Sequence, residues 1–473
     1  RFDPPECEIL VYSSAIKRDH PVFQSVSGRK TRTVRRGELL AEIAHGRRLL
    51  AVAGSHGKTT TTAMIAWIAR RSGMSMDHLI GGLPNPGLAP ASNKGAEWLV
   101  AEVDESDGTI EGFSPEVTLF VNFDWDHADR YATREDICGA WERLAGRTTG
   151  VVCFPGNGNE GIVWPESIRR SAFAVSMQDD FRETDASAAL QALSEAVGRS
   201  LSNELLDGFP GVWRRQSVHL KQPDLAILED YAHHPVEVSG FLSWARKEKF
   251  PEPLRVFFQP HRFSRTTRFA DDFVDALKDL DSVGLHSIYG AGESAEGNPL
   301  EQIRKGLEAR GVRVERILQL ADFDGFGPSE QPYGTYAFVG AGDANDWAPI
   351  LAARFRADSP TDALFRLARE QLGGRAVEKN VAVGPLTTLR VGGPAALLAR
   401  PESESALRWL LRTSSLLEVP VAFLGNGSNL LVADEGFDGL VIHFDGPYWE
   451  ERTLLAGGER FAAAAGVSLP SLA

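Results

Sequence analysis

Short apolar segments of strand length alternate with amphipathic segments of helix length almost throughout this chain of 473 residues. This alternation predicts parallel sheets covered by helices, the α/β class of fold. The strand candidates are CEILVYSS (7–14), RLLAVAG (48–54), EWLVAEV (97–103), EVTLFVNF (116–123), GVVCF (150–154), LAILEDY (225–231), LRVFFQP (254–260), SVGLHSIYG (282–290) and TYAFVGAGD (335–343). The helix candidates are 59–72, 134–145 (with a capping box of Thr133 and Asp136), 186–197, 236–249, 269–280, 300–310 and 346–357.

The length of the chain exceeds that of one ordinary domain and predicts about three or four. The turn-rich segment DGFPGVWRRQ (207–216) and the polar linker ADSPTDA (357–363) indicate where domains meet. We therefore predict domains at 1–48, 49–210, 211–357 and 358–473. Because the chain starts at Arg1 just before a strand-like segment, we expect both ends to continue in a longer protein.

Composition narrows the class of protein. A net charge of −14 argues against a nucleic-acid partner, because phosphate backbones require a basic surface. Cys7, Cys138 and Cys153 show no metal or redox spacing, which fits a reducing cytoplasm and small buried side chains. No apolar run approaches the roughly 18 residues of a membrane span, and we predict no membrane insertion.

The segment LLAVAGSHGKTTTT (49–62) has the order strand, glycine turn, helix. Gly54, Gly57, Lys58 and Thr59 form a shortened phosphate loop, in which backbone N–H groups and a helix N-terminus favour an anion. The lysine would reach the outer phosphates, and the threonine hydroxyl would contact Mg²⁺. The alternative is a plain glycine turn with a chance lysine.

Two acidic segments follow later strands of the same predicted sheet. VAEVDESDG (100–108) and VNFDWDHADRY (121–131) place polar groups at the carboxyl ends of strands, where α/β proteins bind ligands. Such groups would suit Mg²⁺ ions that bridge nucleotide phosphates. A solvated acidic loop and a structural histidine are the alternatives. The groups are Glu102, Asp104, Glu105, Asp107, Asn122, Asp126 and His127.

These motifs, in this order, resemble the Mur ligase family, in the branch that joins L-alanine to UDP-N-acetylmuramate. EDYAHHPVEV (229–238), FQPHRFSRTTRF (258–269), GVWRR (211–215) and VGAGD (339–343) extend the resemblance over roughly 5–357. It implies a three-domain α/β ligase, with a truncated Rossmann-like domain at 1–48, a central phosphate-loop domain at 49–210 and a Rossmann-like domain at 211–357.

The resemblance also implies a reaction in peptidoglycan precursor synthesis. The muramyl carboxylate would attack the γ-phosphate of ATP, and the amine of L-alanine would displace phosphate from the acyl phosphate. Catalytic roles would fall to Lys58, Glu102, His127, Arg215 and His234; metal binding to Thr59, Glu102 and His127; and ATP binding to Gly54, Ser55, His56, Gly57, Lys58, Thr59, Thr60 and Asp230. His233, His234, His261 and Arg262 would line the substrate side; the alternative for the histidine pair is a structural turn before Pro235.

The chain departs from the family pattern in places. The family usually has threonine where Ser55 stands and glycine where Ala232 stands, and Glu229 and Trp213 also differ. The segment DDFRETDASAAL (179–190) lacks the histidine and asparagine that hold adenine in the family.

A second glycine-rich region resembles the FAD-binding N-terminal part of the UDP-N-acetylenolpyruvoylglucosamine reductase family. It comprises PLTTLRVGGPAALLARPES (385–403), VPVAFLGNGSNLLVADEGFDGLVI (419–442) and AAAAGVSLPSLA (462–473). The resemblance implies a partial α+β FAD-binding domain in a reductase that uses NADPH, whose catalytic residues would lie beyond Ala473. Glycines and short polar side chains allow close approach to a pyrophosphate. These residues are Gly425, Asn426, Gly427, Ser428 and Asn429.

Two other functions stay open from the sequence. A murein tripeptide recycling ligase shares the ligase motifs but takes a peptide in place of alanine. A non-catalytic scaffold would bind the UDP-sugar without turning over ATP. A generic phosphate-loop GTPase is disfavoured, because its other loops are absent.

Overall fold

The computed structural model describes most of the chain. The described residues are 7–13, 16–126, 130–157, 161–176, 181–295, 297–317, 333–343, 346–374, 376–428, 430–450, 452–454, 461–463 and 465. By the density of their contacts they form two compact units: the first comprises 1–217, 229–315 and 339–343, and the second comprises 218–228, 316–338 and 344–473. The division into four domains stays a prediction.

The first unit begins with a small parallel pair of strands, β1 (Ile9–Tyr12) and β2 (Arg32–Arg35). Helices α1 (Pro21–Ser25) and α2 (Arg36–Ala44) accompany them. Glu38 caps α2 by accepting the backbone N–H of Arg35 at 2.9 Å. These elements lead directly into the strand that carries the phosphate loop.

The main sheet of the first unit has seven strands in the order β5-β4-β6-β3-β7-β8-β9. They are β3 (Arg48–Ala53), β4 (Met76–Leu79), β5 (Ala91–Ser92), β6 (Trp98–Glu102), β7 (Val117–Phe120), β8 (Val151–Pro155) and β9 (Arg169–Phe173). All neighbouring pairs are parallel except β4 with β5, so the expected parallel sheet is mixed at one edge. The phosphate-loop strand, β3, lies between β6 and β7, so the ends of all three meet at one place.

Alternation along β3 sends its side chains into two cores, as a strand covered on both faces requires. Leu50 and Val52 pack with α3 (Lys58–Arg71) and α5 (Phe181–Val197). Ala51 and Ala53 pack on the other face with α4 (Arg134–Gly146), whose Trp141 is fully buried. Burial on both faces fixes the strand, and hence the loop that follows it.

The elements of residues 217–357 divide between the two units, and those within 229–315 belong to the first unit, as the candidate site does. Strands β12 and β13 are parallel neighbours, and Phe257 and Phe258 of β12 are completely buried. The strands are β10 (Ser217–Lys221), β11 (Leu225–Asp230), β12 (Leu254–Gln259), β13 (Ser282–Leu285), β14 (Arg313–Arg316) and β15 (Gly334–Gly340). The helices are α6 (Pro235–Lys247), α7 (Phe263–Arg268), α8 (Ala270–Leu277), α9 (Pro299–Glu308) and α10 (Trp347–Arg356).

The second unit contains a four-stranded sheet in the order β16-β17-β19-β18, in which only β16 runs antiparallel to its neighbour. Its core joins α10 with two later helices through Ile350, Leu364 and Leu410. The elements are α11 (Pro360–Leu372), β16 (Val377–Ala382), β17 (Pro394–Ala399), α12 (Glu404–Leu416), β18 (Val421–Leu424), β19 (Phe437–His443), and an antiparallel pair, β20 (Arg452–Leu454) and β21 (Phe461–Ala463).

Several expectations from the sequence are confirmed and some need correction. Thr133 and Asp136 form the expected capping box. The helix expected at 186–197 begins earlier, at Phe181, and the helix expected at 269–280 is confirmed as Ala270–Leu277, with a further short helix at Phe263–Arg268 before it. All three cysteines are free thiols, but Cys7 is only half-buried. Within the described residues, no helix is both apolar enough and long enough to cross a membrane.

Candidate active site

The phosphate loop is held in a conformation that only glycine permits at two positions. Gly54 has φ +115°, and a Cβ there would lie 2.8 Å from the carbonyl oxygen of Asn122. Gly57 has φ +76° and is the residue that precedes α3. Asn122 also fixes the turn from the next strand, because it accepts the backbone N–H of His56 at 3.0 Å and donates to the carbonyl of His56 at 2.9 Å.

Lys58 is buried, and all three of its ammonium protons have partners. It donates to the carbonyls of Gly54 at 2.6 Å and Ser55 at 3.2 Å, and to a carboxylate oxygen of Glu105 at 3.0 Å. Burial would lower the pKa of Lys58, but the negative charge of Glu105 and its acidic neighbours raises it. The lysine is therefore charged, and it must exchange a partner to contact a phosphate.

Two of the three expected magnesium ligands lie side by side. The hydroxyl of Thr59, in the first turn of α3, donates to Glu102 at 2.9 Å across the end of β6. Hydroxyl and carboxylate oxygens are the ligands that Mg²⁺ prefers, so this pair fits the ion. His127 lies outside the described residues, and those that are described contain no cluster of three or more His, Cys, Asp or Glu side chains suited to a metal.

The other expected loop residues line the same turn. The hydroxyl of Ser55 donates to the carbonyl of Asp124, which ties the loop to the segment after β7. Thr60 is half-buried in the first turn of α3. Asp185 of α5 lies against the loop, because a Cβ on Gly57 would come within 2.5 Å of its carboxylate.

A cavity of about 300 Å³ opens beside the loop. Phe181, Thr184 and Asp185 of its lining belong to the segment 179–190, for which the sequence predicted a departure from the family pattern. Its lining combines an aromatic ring with amide, carboxylate and guanidinium groups. These groups belong to Asn122, Asp124, Arg134, Asn157, Phe181 and Asp185.

Residues 211–217 and 229–237 of the first unit provide the facing side of the site. Asp230 is buried at the end of β11, where it accepts the backbone N–H groups of Gln216 at 2.6 Å and Ala232 at 2.7 Å. Burial raises the pKa of Asp230 to about 7 despite these bonds and the charge of Arg215. His234 begins α6 as its N-cap and accepts the backbone N–H of Val236, so the structural role considered for the histidine pair is present.

Three of the four histidines in this region are held neutral. Burial lowers the pKa of His233 to about 3 and those of His234 and His261 to about 4, helped by Arg265 in each case. For His56, burial lowers the pKa, but Glu237 and two nearby aspartates outweigh it and raise it. Positive charge at the site therefore comes from Lys58 and the arginines, and His56 is the one of these four histidines whose surroundings favour the charged form.

A cavity of about 1320 Å³ lies beside these residues in the first unit. Its lining carries an excess of cationic side chains, which suits a large anionic ligand. His233, His261 and Arg262, expected on the substrate side, line it, whereas His234 is not among its lining residues. The cations of the lining are Lys17, Arg18, Arg35, Arg130, Arg143, Arg262 and Arg265.

Asp126 and Arg265 form a buried ion pair between segments that are far apart in the sequence. One carboxylate oxygen lies 2.9 Å and the other 3.1 Å from Nη2 of the arginine. Their side chains are 5% and 8% exposed, respectively. The pair connects the segment after β7 to α7, and Arg265 lines the large cavity.

In the second unit, the glycine-rich region is packed too tightly for larger residues. A Cβ on Gly427 would lie 2.4 Å from the carbonyl oxygen of Leu386, and Gly427 has φ +63°. A Cβ on Gly436 would lie 2.0 Å from the carbonyl of Pro394. Loops 384–394 and 425–436 thus meet backbone to backbone. Gly425, Asn426 and Ser428 lie at this place; Asn429 is outside the described residues.

Sequence reasoning missed two residues that hold the site together. No role was predicted for Arg265, although it lies in the segment FQPHRFSRTTRF (258–269), from which His261 and Arg262 were predicted to line the substrate side. Glu237 was also missed, although a glutamate in the first turn after His-Pro is the signal of a helix cap. Glu105 was noted only as part of an acidic segment, because its lysine partner is distant in the sequence.

A strand, a glycine loop that ends at a charged lysine, and a threonine beside a carboxylate define a nucleoside-triphosphate-binding α/β protein. Residues 52–152 match the Mur ligase middle domain. The UDP-N-acetylmuramate–L-alanine ligase of Geobacter sp. (strain M21) is 32% identical over 347 residues, which cover 65% of this chain and 75% of that protein. The chain belongs to the Mur ligase family.

Solved structures agree on the fold. The UDP-N-acetylmuramate–alanine ligase of Thermotoga maritima matches with a TM-score of 0.61 at 22% identity, over 74% of this chain and 85% of that one. A murein peptide ligase from Psychrobacter arcticus 273-4 matches with a TM-score of 0.53 at 18% identity, over 73% of this chain and 85% of that one. The chain is an ATP-dependent Mur ligase with mixed sheets in an α/β fold.

Proposed function

We propose that this chain joins L-alanine to UDP-N-acetylmuramate in the cytoplasm, with cleavage of ATP. The observation that carries the proposal is the meeting of Lys58, Thr59 and Glu102 at one sheet edge, in the same unit as the large cationic cavity. The names of the curated relatives support this choice of substrates. The sugar nucleotide fits what the residues offer, because it brings a diphosphate and a carboxylate to a cationic cavity.

ATP would bind with its outer phosphates in the loop. The N-terminus of α3 and the loop N–H groups favour the phosphate charge. Lys58 would exchange Glu105 for a phosphate oxygen and stabilise charge that develops on the transferring group. Thr59 and Glu102, with His127 expected beside them, would hold Mg²⁺, which supplies further charge neutralisation when bound.

The carboxylate of UDP-N-acetylmuramate would attack the γ-phosphorus, and ADP would leave. This step forms an acyl phosphate. The amine of L-alanine would then add to the acyl carbon, and the tetrahedral intermediate would expel inorganic phosphate and lose the amine proton. Arg215 would contact the phosphates, Asp230 the nucleotide, and His234 would position the segment that faces them. Cationic side chains of the large cavity would hold the diphosphate.

Phosphate release tests this proposal directly. The full chain is incubated with ATP and Mg²⁺ and with each combination of UDP-N-acetylmuramate, L-alanine and the murein tripeptide. Release that needs the sugar nucleotide and L-alanine supports the ligase. Release with the tripeptide in place of alanine would assign the recycling reaction instead. Binding of the sugar nucleotide without any release of phosphate would indicate a non-catalytic scaffold that binds the UDP-sugar.

A second candidate function belongs to the second unit. We infer that its glycine-rich loops bind FAD for a reductase that uses NADPH. The support for this is the close backbone approach of the two loops at Gly427 and Gly436, the kind of glycine-dependent packing that the resemblance implies. Quenching of FAD fluorescence by the full chain tests it. No quenching at micromolar protein would contradict it.

A further inference from the structure

Glu237 brings together three segments of the first unit. One of its oxygens, Oε2, accepts the backbone N–H groups of His233 at 2.9 Å and His234 at 3.2 Å. The other, Oε1, lies 3.5 Å from Nδ1 of His56 in the phosphate loop and 3.4 Å from Nη1 of Arg215. The side chain is only 10% exposed. The two oxygens therefore have separate partners.

Capping of α6 accounts for only half of these contacts. A glutamate at the third helical position commonly reaches back to the N-cap backbone, and Oε2 does so here. Capping places no demand on Oε1. That oxygen instead contacts two side chains that come from outside the helix, His56 and Arg215. A helix cap alone leaves this arrangement unexplained.

The carboxylate is charged despite its burial. Burial would raise the pKa of Glu237, but His56 and the guanidinium of Arg215 hold it well below the usual range. A buried charge is tolerated only when its partners are fixed around it. Moving either Arg215 or the phosphate loop away from Oε1 would therefore carry a cost.

We propose that Glu237 is a positioning residue for phosphoryl transfer: Oε1 holds Arg215 and the phosphate loop at His56 in one fixed arrangement. The inference rests on the proposed ligase function. It differs from the roles expected for Lys58 and Arg215, because Glu237 acts through them rather than on the substrate. A misplacement of about 1 Å in such groups can cost on the order of 100-fold in rate.

The variant Glu237→Gln tests the contacts of Oε1 separately from the helix-capping role of Oε2. Glutamine at this position still caps a helix, but it carries no charge for Arg215 and His56. We expect kcat for ATP-dependent phosphate release to fall by about 10- to 100-fold. The KM values for UDP-N-acetylmuramate and L-alanine should change by less than about threefold, because Glu237 does not line the large cavity.

Glu301 offers a matched control. It also occupies the third position of a helix that begins with proline, and it also pairs with an arginine, Arg304. Its side chain is 34% exposed, and it lies outside the candidate site. Glu301→Gln should retain the kcat of the parent chain. An equal loss in both variants would show a general effect of removing a carboxylate from the first turn of a helix and would overturn the proposal.

A double-mutant cycle tests the route through Arg215. In the Arg215→Met background, Glu237→Gln should lower kcat by a smaller factor than it does in the parent chain, because one of the two partners of Oε1 is already gone. If Glu237→Gln lowers kcat by the same factor in the Arg215→Met background as in the parent chain, Glu237 does not act through Arg215. If Glu237→Gln does not fold, His56→Asn replaces it, since it breaks the contact without touching the cap of α6; an unchanged kcat in that variant would overturn the proposal.

Failure of the proposed ligase function can be distinguished from failure of the role proposed for Glu237. The parent chain is measured first, and absence of phosphate release in it would reject the ligase reaction. In that case, the affinity for a non-hydrolysable ATP analogue with Mg²⁺ tests the positioning role of Glu237. The positioning role predicts roughly tenfold weaker binding in Glu237→Gln than in Glu301→Gln. Equal binding would overturn it.

Discussion

The ammonium of Lys58 lies 3.0 Å from a carboxylate oxygen of Glu105, a side chain with no exposure to solvent. The phosphate-loop lysine is thus already neutralised in a site meant for an anion. Glu105 holds the charge in place without a nucleotide, and it competes with the phosphates for the same group. Nucleotide binding must therefore replace one buried ion pair with another.

Glu105→Gln is expected to lower the stability of the protein without nucleotide and to increase the stabilisation that ATP provides. The buried lysine loses its charge partner, which costs about 3 kcal/mol when one member of a buried pair is removed. Phosphates of ATP then supply the missing negative charge. Thermal unfolding with and without ATP and Mg²⁺ should show a lower midpoint for the empty variant and a larger shift on binding.

The control for this experiment is an exposed pair in the same unit. Glu111 and Arg143 contact each other with side chains that are 51% and 54% exposed, so Glu111→Gln should cost at most about 1 kcal/mol. A shift on ATP binding no larger in Glu105→Gln than in Glu111→Gln would refute the competition between Glu105 and phosphate.

Arg265→Met is expected to lower the free energy of unfolding by about 3 kcal/mol or more. It leaves the carboxylate of Asp126 buried without its main charge partner. The second change Asp126→Asn should restore much of that loss, because it removes the buried negative charge that Arg265 otherwise neutralises. Urea unfolding of the single and double variants measures both effects, and a double variant less stable than Arg265→Met would contradict this account.

The ionised carboxylate of Asp77 contributes to the free energy of unfolding in a way that depends on pH. It accepts bonds from Lys94 N at 2.7 Å, Ala96 N at 3.1 Å and Arg47 at 2.6 Å. Burial would raise its pKa, but these bonds lower it to about 2. Because the folded pKa lies below the unfolded value, the stabilisation is present above about pH 4 and is lost as pH falls toward 2.

Asp77→Asn should therefore lower the free energy of unfolding by about 2 kcal/mol at pH 7. About half of the difference from the parent chain should have gone by pH 3. Urea unfolding at pH 7, 5, 4 and 3 measures it. A difference that stays constant over this range would mean that the carboxylate charge contributes nothing.

Two glycines of the second unit separate backbone strain from steric contact. Gly446 has φ +94° with open space around it, whereas Gly427 has φ +63° and closely approaches Leu386. Gly446→Ala should cost about 1 kcal/mol from backbone strain alone. Gly427→Ala should cost at least about 2 kcal/mol more, because the backbone must move. Equal midpoints for the two variants in thermal unfolding would refute the packing argument.

Local features of the fold were predictable from the sequence. The phosphate loop follows from glycines before a lysine, and the cap of α4 follows from Thr133 and Asp136 three positions apart. In both, the interacting groups are neighbours in the chain. The antiparallel edge strand β5 was not predictable, because two residues carry no periodicity.

The partners of the site residues were much less predictable. Lys58 with Glu105, and Asp126 with Arg265, are ion pairs across 47 and 139 positions. A single sequence specifies which charges exist but not which of them meet after folding. Glu237 is intermediate, since its cap was readable from the His-Pro-x-Glu pattern while its contacts with His56 and Arg215 were not.

The ion pair of Asp126 and Arg265 also constrains how such a chain can be recombined. The two residues lie 139 positions apart, on opposite sides of the turn-rich segment at 207–216. A hybrid made by joining halves of two related genes at that segment would inherit one partner from each parent. Parents that differ at either position would yield a hybrid with an unmatched buried charge, even though each half is intact.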